Sequence, residues 1–432
     1  MGPELQVIFV FGVFLFLLVI GMNVPFAITV PSLVYIFLQG GFKGFKALGL
    51  VSWGSMNSFV LTAIPLFILM AEIMLRSGLT TRVYQGLAQL VSRIPGGLLQ
   101  TNIVGCAIFA SISGSSITTA ASIGGVALPQ LQRLKYDPKL SAGSLAAGGT
   151  LGILIPPSLA MIIYSSFTET SVARLFMAGV VPGLLLTGMF MAYIFVHALI
   201  RPEIAPKMPS PTRQQFFKAL IDVVPFVLLI MFVLGTIYAG LATPTEAAAL
   251  GCIAVIVLCK MFGSMTWKIF NDSLHSTVIV VGNILFIVLA AYLFSYAISY
   301  AGIGESITQW VISLKLNRLE FFFAVFILYT ILGCLVESVG MIVITVPLLF
   351  PLLPQFGIDP VWFGIILVVF VELGQISPPI GINLYVVQAM WSGKLSDVVM
   401  GTIPFHLIML VLLVMLVAWP EIALWLPSRM IQ

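Results

Sequence analysis

The sequence predicts an all-α polytopic membrane protein with about ten transmembrane helices and two re-entrant helical hairpins. Two observations indicate this class: 60% of the 432 residues are apolar and only 8% are charged, and the apolar residues form long continuous runs. A soluble domain is typically about 45–50% apolar and about 25% charged. The composition therefore excludes a soluble enzyme, a disordered protein and a nucleic-acid-binding protein. The continuous runs argue against a membrane β-barrel, whose strands alternate in polarity.

Hydropathy and helix-breaking residues place the elements in order along the chain. The first apolar run, residues 8–20, has no basic region before it and no cleavage site after it, so it is predicted to be a retained helix. The predicted crossings are residues 5–21, 25–38, 50–75, 139–167, 172–200, 219–240, 244–263, 272–301, 361–389 and 401–427. Two further apolar stretches, 97–131 and 319–353, are interrupted by polar residues in their middle. We expect each to be a hairpin that returns to the side from which it enters.

The distribution of basic residues predicts the topology. If neither hairpin crosses the membrane, 13 of the 19 Lys and Arg residues fall on one side. Basic residues are enriched in cytoplasmic loops. Both termini are therefore predicted to lie outside the cytoplasm, and the polar connector 201–218 is predicted to lie inside it.

Helix-breaking residues recur at a constant spacing of 222 positions. Asp137-Pro138 corresponds to Asp359-Pro360, Gly152 to Gly374, and Pro156-Pro157 to Pro378-Pro379. About five crossings separate the paired elements, which places them in opposite orientations. We therefore predict an inverted repeat of residues 1–216 and 217–432, each with one hairpin (97–131 or 319–353) and one broken helix (139–167 or 361–389). Paired broken segments in inverted repeats are typical of secondary transporters.

Four non-helical segments are predicted at membrane depth: the hairpin tips at 113–116 and 337–338, and the helix breaks at 152–157 and 374–379. Irregular backbone is tolerated there only where it is buried in protein or lines a cavity. Each Pro-Pro pair frees carbonyl groups, and serine hydroxyls add further oxygen ligands for a monovalent cation. Half-helix N-termini suit an anionic group. A run of small residues can also be a helix-packing face, but the duplication favours a site.

The sequence leaves more than one interpretation for the polar residues near these breaks. Glu337 lies inside an apolar stretch, where a carboxylate is either functional or paired internally. Glu372 is a candidate for orienting the second break, and Gln375 could face either the cavity or a neighbouring helix. Glu246 follows Thr243 in a run that matches a helix N-cap. The four cysteines and three histidines show no ligand-like spacing, so they are interpreted as core and non-catalytic residues.

The chain resembles the large membrane subunit, of the DctM type, of tripartite ATP-independent periplasmic (TRAP) transporters. The matching stretches are GMNVPFA from Gly21, SGSSITTA from Ser113, GILIPPS from Gly152, TPTEAAALG from Thr243 and GQISPPIGIN from Gly374. The similarity runs from about residue 5 to residue 427. It implies an elevator-type carrier, with a scaffold and a sliding transport domain, that uses Na⁺ to take up an organic acid anion across the bacterial inner membrane. Both termini would then be periplasmic.

The resemblance also implies partners and ligands. A separate small four-helix membrane subunit and a periplasmic substrate-binding protein would work with this chain in the lipid bilayer; no nucleic acid and no catalytic residue is implied. One Na⁺ site is expected at Ser113, Ser116, Gly152, Ile155 and Pro157. The internal repeat suggests a second at Gly333, Ser338, Gly374, Ser377 and Pro379, although Leu335 stands at the position equivalent to Ser113. Substrate is expected near Ser115, Glu337 and Asn383.

Two other readings stay open at this stage. A stand-alone Na⁺- or H⁺-coupled anion symporter of related hairpin architecture would need no binding protein. A channel or membrane enzyme would need a continuous polar pore or a catalytic cluster, and the sequence shows neither. ATP-binding motifs are also absent from the sequence. The substrate could be a sialic acid, a C4-dicarboxylate, a sulfonate or another hydroxy acid.

Overall fold

The computed structural model describes residues 3–91, 93–206, 211–300 and 302–430, and within these ranges the chain is entirely helices and connecting turns. Five short 3₁₀-helices span Gly41–Ala47, Phe59–Thr62, Pro202–Ile204, Phe350–Phe356 and Pro427–Arg429. The α-helices are α1 (Pro3–Val19), α2 (Val24–Gly40), α3 (Leu48–Met56), α4 (Ala63–Arg76), α5 (Leu79–Val91), α6 (Leu98–Ser113), α7 (Ser116–Arg133), α8 (Pro138–Leu154), α9 (Leu159–Thr168), α10 (Val172–Ile200), α11 (Arg213–Tyr238), α12 (Pro244–Phe262), α13 (Trp267–Tyr300), α14 (Ile303–Ser313), α15 (Arg318–Gly333), α16 (Ser338–Leu349), α17 (Pro360–Gln375), α18 (Ile382–Met390), α19 (Leu395–Ala418) and α20 (Glu421–Leu424). The all-α class is confirmed.

Nine helical segments among the described residues are long and apolar enough to cross a membrane. They are Val24–Met56, Phe59–Arg76, Pro138–Thr168, Val172–Ile200, Arg213–Tyr238, Pro244–Phe262, Trp267–Tyr300, Ser338–Phe356 and Leu395–Ala418. A polytopic membrane protein is therefore confirmed. The number of crossings, their orientation and the inverted repeat stay predictions, and the predicted connector 201–218 includes residues 207–210, outside the described residues.

The interrupted segments lie where the sequence predicts them. The stretch 97–131 forms the antiparallel pair α6 and α7, and 319–353 forms α15 and α16. The predicted broken helices at 139–167 and 361–389 are α8 with α9 and α17 with α18. Local chemistry explains these bounds, because prolines and glycines interrupt helical hydrogen bonding.

Equivalent caps begin the two half-helices that precede the breaks. The Asp137 carboxylate accepts the Leu140 N–H at the start of α8, and Pro138 is the first helical residue. In the same way the Asp359 carboxylate accepts the N–H groups of Val361 and Trp362 at the start of α17. The Thr243 and Glu246 side chains form a reciprocal capping box on α12, which confirms the predicted N-cap.

Three features of the fold differ from the predicted elements: one predicted crossing is interrupted, and the helices α5 and α14 were not predicted. The predicted crossing at 50–75 is interrupted, because Asn57 ends α3 and Ser58 is extended before the next 3₁₀-helix. Helix α5 was not predicted, because only one of its faces is apolar and hydropathy averages over both faces. Its polar face carries Arg82, whose guanidinium pairs with Asp222 on α11 at 2.5 Å.

Two groups of helices build the molecule. The inner bundle (α6–α10 and α15–α19) packs around α8 and α17, which are buried along almost their whole lengths. The outer bundle (α2, α4 and α11–α13) is joined by the packing of α12 on α4 and of α13 on α2 and α4. Small residues make the central position of α8 possible, because they let neighbouring backbones approach closely.

The closest such approach joins α8 to α19. A methyl group on Gly401 would overlap the Lys139 backbone oxygen, and one on Gly143 would overlap the Gly401 backbone. Neither backbone can move without separating the two helices.

We expect Gly401→Ala to lower the free energy of unfolding by about 3 kcal/mol, because overpacking a close contact forces the backbone apart. Gly188→Ala on α10 is the matched control, since its added methyl group would meet no atom within 4 Å. Thermal unfolding of the two purified variants measures the difference. Equal melting temperatures would contradict the close α8–α19 contact.

Candidate functional site

The first hairpin tip packs directly on the first helix break. Gly114 ends α6 in a left-handed conformation, with φ of 60°, and its carbonyl accepts the Leu159 N–H at the start of α9 at 3.2 Å. A Cβ atom on Gly152 would lie 2.5 Å from the Ser115 carbonyl oxygen. Only glycine fits at this distance, so the structure explains why both segments contain it.

Hydroxyl groups concentrate at this contact. The hydroxyls of Ser113 and Thr119 are hydrogen-bonded at 2.7 Å, and Ser116 donates to the Gln375 side-chain oxygen at 2.5 Å. All four side chains are buried. Thr119 is absent from the predicted ligands, although its position three residues after Ser116 places both on one face of α7.

Backbone oxygens also line the contact between the first tip and the first break. Ile155 ends α8 with extended backbone, at φ of −80° and ψ of 119°, so its carbonyl leaves the helical direction. The Pro156–Pro157 peptide bond is cis, and the Pro157 oxygen faces Gly114. The structure therefore places the five predicted residues of the first site on the two segments that meet here.

The second tip and second break repeat part of this arrangement. Gly333, at the end of α15, contacts the Gly374 backbone directly. The Ser377 hydroxyl donates to the Leu373 carbonyl at 2.6 Å, and the Pro378–Pro379 peptide bond is cis. Ser338 begins α16, and among the described residues no hydrogen bond joins it to Gly374 or Ser377. The structure thus brings Gly333 to the 374–379 break without linking Ser338 to it.

The two breaks differ in exposure. Pro156 and Pro157 are buried, whereas Pro378, Pro379 and Ile380 are exposed. At the second tip Leu335 is also 40% exposed. The first tip and break are therefore enclosed by protein, and the second pair lies at an open surface.

The three predicted substrate residues differ in burial and in hydrogen bonding. The half-buried Ser115 caps α7, its hydroxyl accepting the Thr118 N–H. Glu337 precedes α16 and is half-buried. Asn383 on α18 is fully buried, and neither polar atom of its side chain has a hydrogen-bond partner among the described residues. No hydrogen bond joins any two of these three residues in the described part of the chain.

Buried polar groups gather along the second interrupted helix. Glu372, Gln375 and Asn383 are each 0% exposed. Within the described ranges, the Gln375 side-chain nitrogen and both polar atoms of the Asn383 side chain lack hydrogen-bond partners. Because unsatisfied buried polar groups are rare and costly, this cluster marks the second break as more than a packing feature.

A bundle of membrane helices in which two hairpin tips contact two helix breaks is the architecture of a secondary transporter. The family model described as "Tripartite ATP-independent periplasmic transporter, DctM component" matches residues 11–422. The chain belongs to this family, which confirms the resemblance. It is therefore a multi-pass inner-membrane transporter subunit and not an enzyme.

Individual relatives agree with this assignment. The chain is 35% identical over 388 residues to the C4-dicarboxylate TRAP transporter large permease protein DctM of Pseudomonas aeruginosa, covering 89% of this chain and 90% of that protein. It is 32% identical over 439 residues to the protein of the same name from Rhodobacter capsulatus, covering 98% and 99%. The YdaH transporter of Alcanivorax borkumensis has a similar fold, with a TM-score of 0.61 and 16% identity over 90% of this chain and 89% of that one.

A cysteine at the second tip gives a direct test of the exposure difference. Cys106, Cys252 and Cys259 are buried, whereas Cys334 is half-exposed with its sulfur 3.8 Å from the Pro378 oxygen. We expect N-ethylmaleimide to modify one thiol of the purified protein quickly, and Cys334→Ala to abolish that modification. Intact-protein mass spectrometry counts the adducts. Fast labelling that survives in Cys334→Ala would contradict the exposed second tip.

Proposed function

We propose that this chain is the large membrane subunit of a Na⁺-driven transporter that takes up an organic acid anion by an elevator mechanism. The observation that carries the proposal is the backbone contact between the first hairpin tip and the first helix break, lined by buried hydroxyls. Unwound carbonyls and half-helix ends bind the coupling ion in many secondary transporters. Ser113, Ser116, Gly152, Ile155 and Pro157 would hold one Na⁺ ion.

A second Na⁺ site would form at the other tip and break. Gly333, Gly374, Ser377 and Pro379 lie on segments in contact, and Ser338 would join them from the start of α16. The exposure of this region fits a site that fills or empties in the described conformation. Moving extra Na⁺ with an anion would let the membrane potential contribute about 2.3 kcal/mol per net charge per 100 mV.

The two bundles would be the moving and stationary parts of the elevator. The inner bundle contains both hairpins and both broken helices, so it would carry ions and substrate together. The outer bundle would act as the scaffold. It presents large exposed apolar side chains, including Leu228 and Met231 on α11 and Ile253 and Met261 on α12. We propose that this face, with the helices near the N-terminus, contacts a separate small four-helix membrane subunit.

The substrate would bind between the hairpin tips. Helix N-termini at Ser116 and Ser338 present backbone N–H groups, which favour a carboxylate or another anionic group. The P. aeruginosa and R. capsulatus relatives are named for C4-dicarboxylates, which supports an organic acid. Ser115 and Asn383 could bind its polar groups. Glu337 would accept a hydrogen bond from a hydroxyl or amino group of the substrate, or help to hold a cation.

Na⁺ binding is tested without knowledge of the substrate. We expect Na⁺ to raise the melting temperature over K⁺ and choline at constant ionic strength, because a ligand at 100 times its Kd stabilises by about 2.7 kcal/mol. Ser113→Ala and Ser116→Ala should each weaken the effect. Ser32→Ala is the control, since this buried hydroxyl bonds to Ile28 within α2. A Na⁺ response that is unchanged in both site variants would overturn the first-site assignment.

Dependence on a binding protein separates the proposal from a stand-alone symporter. We expect proteoliposomes with both membrane subunits to take up an organic acid only when a Na⁺ gradient and the cognate periplasmic binding protein are present. Radiolabelled uptake measures this, with gramicidin added to collapse the gradient as the control. Rapid uptake without any binding protein would instead favour the stand-alone symporter.

A further inference from the structure

A single hydrogen bond joins the first hairpin to the second interrupted helix. Ser116, the first residue of α7, donates its hydroxyl proton to the Gln375 side-chain oxygen at 2.5 Å, across 259 residues of sequence. Both side chains are buried, at 1% and 0% exposure. The bond therefore lies in an apolar interior, where hydrogen bonds are stronger than in water.

The direction of this bond determines what the Ser116 oxygen can do. A serine hydroxyl has one proton and two acceptor lone pairs. Because the amide oxygen of Gln375 only accepts, the Ser116 proton points toward α17. The lone pairs of Ser116 are then free to face elsewhere, as a cation ligand requires.

Without such an acceptor a buried serine hydroxyl bonds to a nearby backbone carbonyl. Ser32 on α2 and Ser273 on α13 do this, each donating to the carbonyl four residues earlier in its own helix. At position 116 the acceptor comes from the opposite half of the chain instead. The orientation of the Ser116 hydroxyl therefore depends on where the second break lies.

Gln375 lies next to the second helix break. It follows Gly374, a proposed ligand of the second Na⁺ site, and it is the last residue of α17. It lies one turn after Glu372, which is also fully buried. A shift of the second break would move the Gln375 amide and, through it, the Ser116 hydroxyl.

We propose that Gln375 is a positioning residue of the first Na⁺ site. It holds the Ser116 proton away from the first Na⁺ site, so that the hydroxyl oxygen presents its lone pairs to the ion. Through this bond the occupancy of the first site is coupled to the conformation of the second helix break. The inference rests on the proposed Na⁺ coupling.

The test compares Na⁺ affinities measured from the rise in melting temperature with Na⁺ concentration, with K⁺ keeping the ionic strength constant. We expect Gln375→Leu to raise the half-saturating Na⁺ concentration about tenfold, the equivalent of one lost hydrogen bond. Gln375→Glu keeps an acceptor oxygen and should stay within about threefold of the wild type. Gln375→Asn, whose shorter side chain withdraws the acceptor, replaces Gln375→Leu if that variant does not fold.

A matched control separates positioning from structural support. Gln100 is also fully buried, and its side-chain nitrogen donates to the Pro95 and Met191 carbonyls at 3.1 and 3.0 Å. Gln100→Leu should lower the melting temperature in Na⁺ and K⁺ alike and leave the half-saturating Na⁺ concentration unchanged. If Gln375→Leu behaves in the same way, Gln375 is a structural contact and the proposal is wrong.

A double-mutant cycle tests whether Gln375 acts through Ser116. We expect the variant Ser116→Ala with Gln375→Leu to bind Na⁺ no more weakly than Ser116→Ala alone, because residues that act through one contact are not additive. Additive losses would overturn the inference while leaving Na⁺ coupling intact. A wild type without any Na⁺-specific stabilisation would instead overturn the proposed function itself.

The Cys334 thiol reports the coupling to the second break. We expect Na⁺ to change the rate of maleimide labelling in the wild type, and Ser113→Ala to shift this response to higher Na⁺ concentration. In Gln375→Leu, Ser113→Ala should no longer shift the response. An equal shift in both backgrounds would show that the first site does not reach the second break through Gln375.

Discussion

Hydrogen bonding of the backbone in an apolar environment governs this fold. Inside a membrane every interrupted helix leaves N–H and C=O groups that water cannot satisfy. Of the tips and breaks, the first pair is enclosed by protein, and the second pair is in contact through the backbones of Gly333 and Gly374. At the first tip the Gly114 carbonyl receives the Leu159 N–H, so one break supplies the partner of the other. The candidate ion site thus arises from the same requirement that stabilises the fold.

Close backbone packing follows from this constraint. A tip meets a break only if no side chain stands between them, which explains Gly152 against Ser115 and Gly333 against Gly374. Glycines likewise let α8 occupy the centre of the inner bundle, in close contact with α19. Exposed large apolar side chains on the outer bundle, such as Leu228 and Met231 on α11, suit lipid or another membrane subunit.

The two halves share the same helix caps and Pro-Pro breaks, but their breaks differ in exposure. Both breaks begin with an Asp-Pro cap one half-helix earlier and both contain a cis Pro-Pro bond. The first is enclosed, whereas the second is exposed and carries the buried polar groups Glu372 and Gln375 beside it. In the Na⁺-coupled carrier that we propose, the hydrogen bond from Ser116 to Gln375 would link the first ion site to the second break.

The sequence by itself determined the class, the family and the positions of the two hairpin tips and the two Pro-Pro breaks, because Pro-Pro, glycine and Asp-Pro act within one turn of the chain. The ligand candidates Ser113, Ser116 and Gly152 followed from the same local pattern and a family resemblance. Only the tertiary structure decided that Gln375 accepts from Ser116, that Thr119 adjoins Ser113, that α5 is held by Arg82, and that one break is closed while the other is open. The Ser116–Gln375 and Arg82–Asp222 contacts join helices more than a hundred residues apart in the sequence, and hydropathy and helix-breaking residues contain no information on that pairing. The Ser113–Thr119 bond spans only six residues, but it depends on how the chain turns at the hairpin tip.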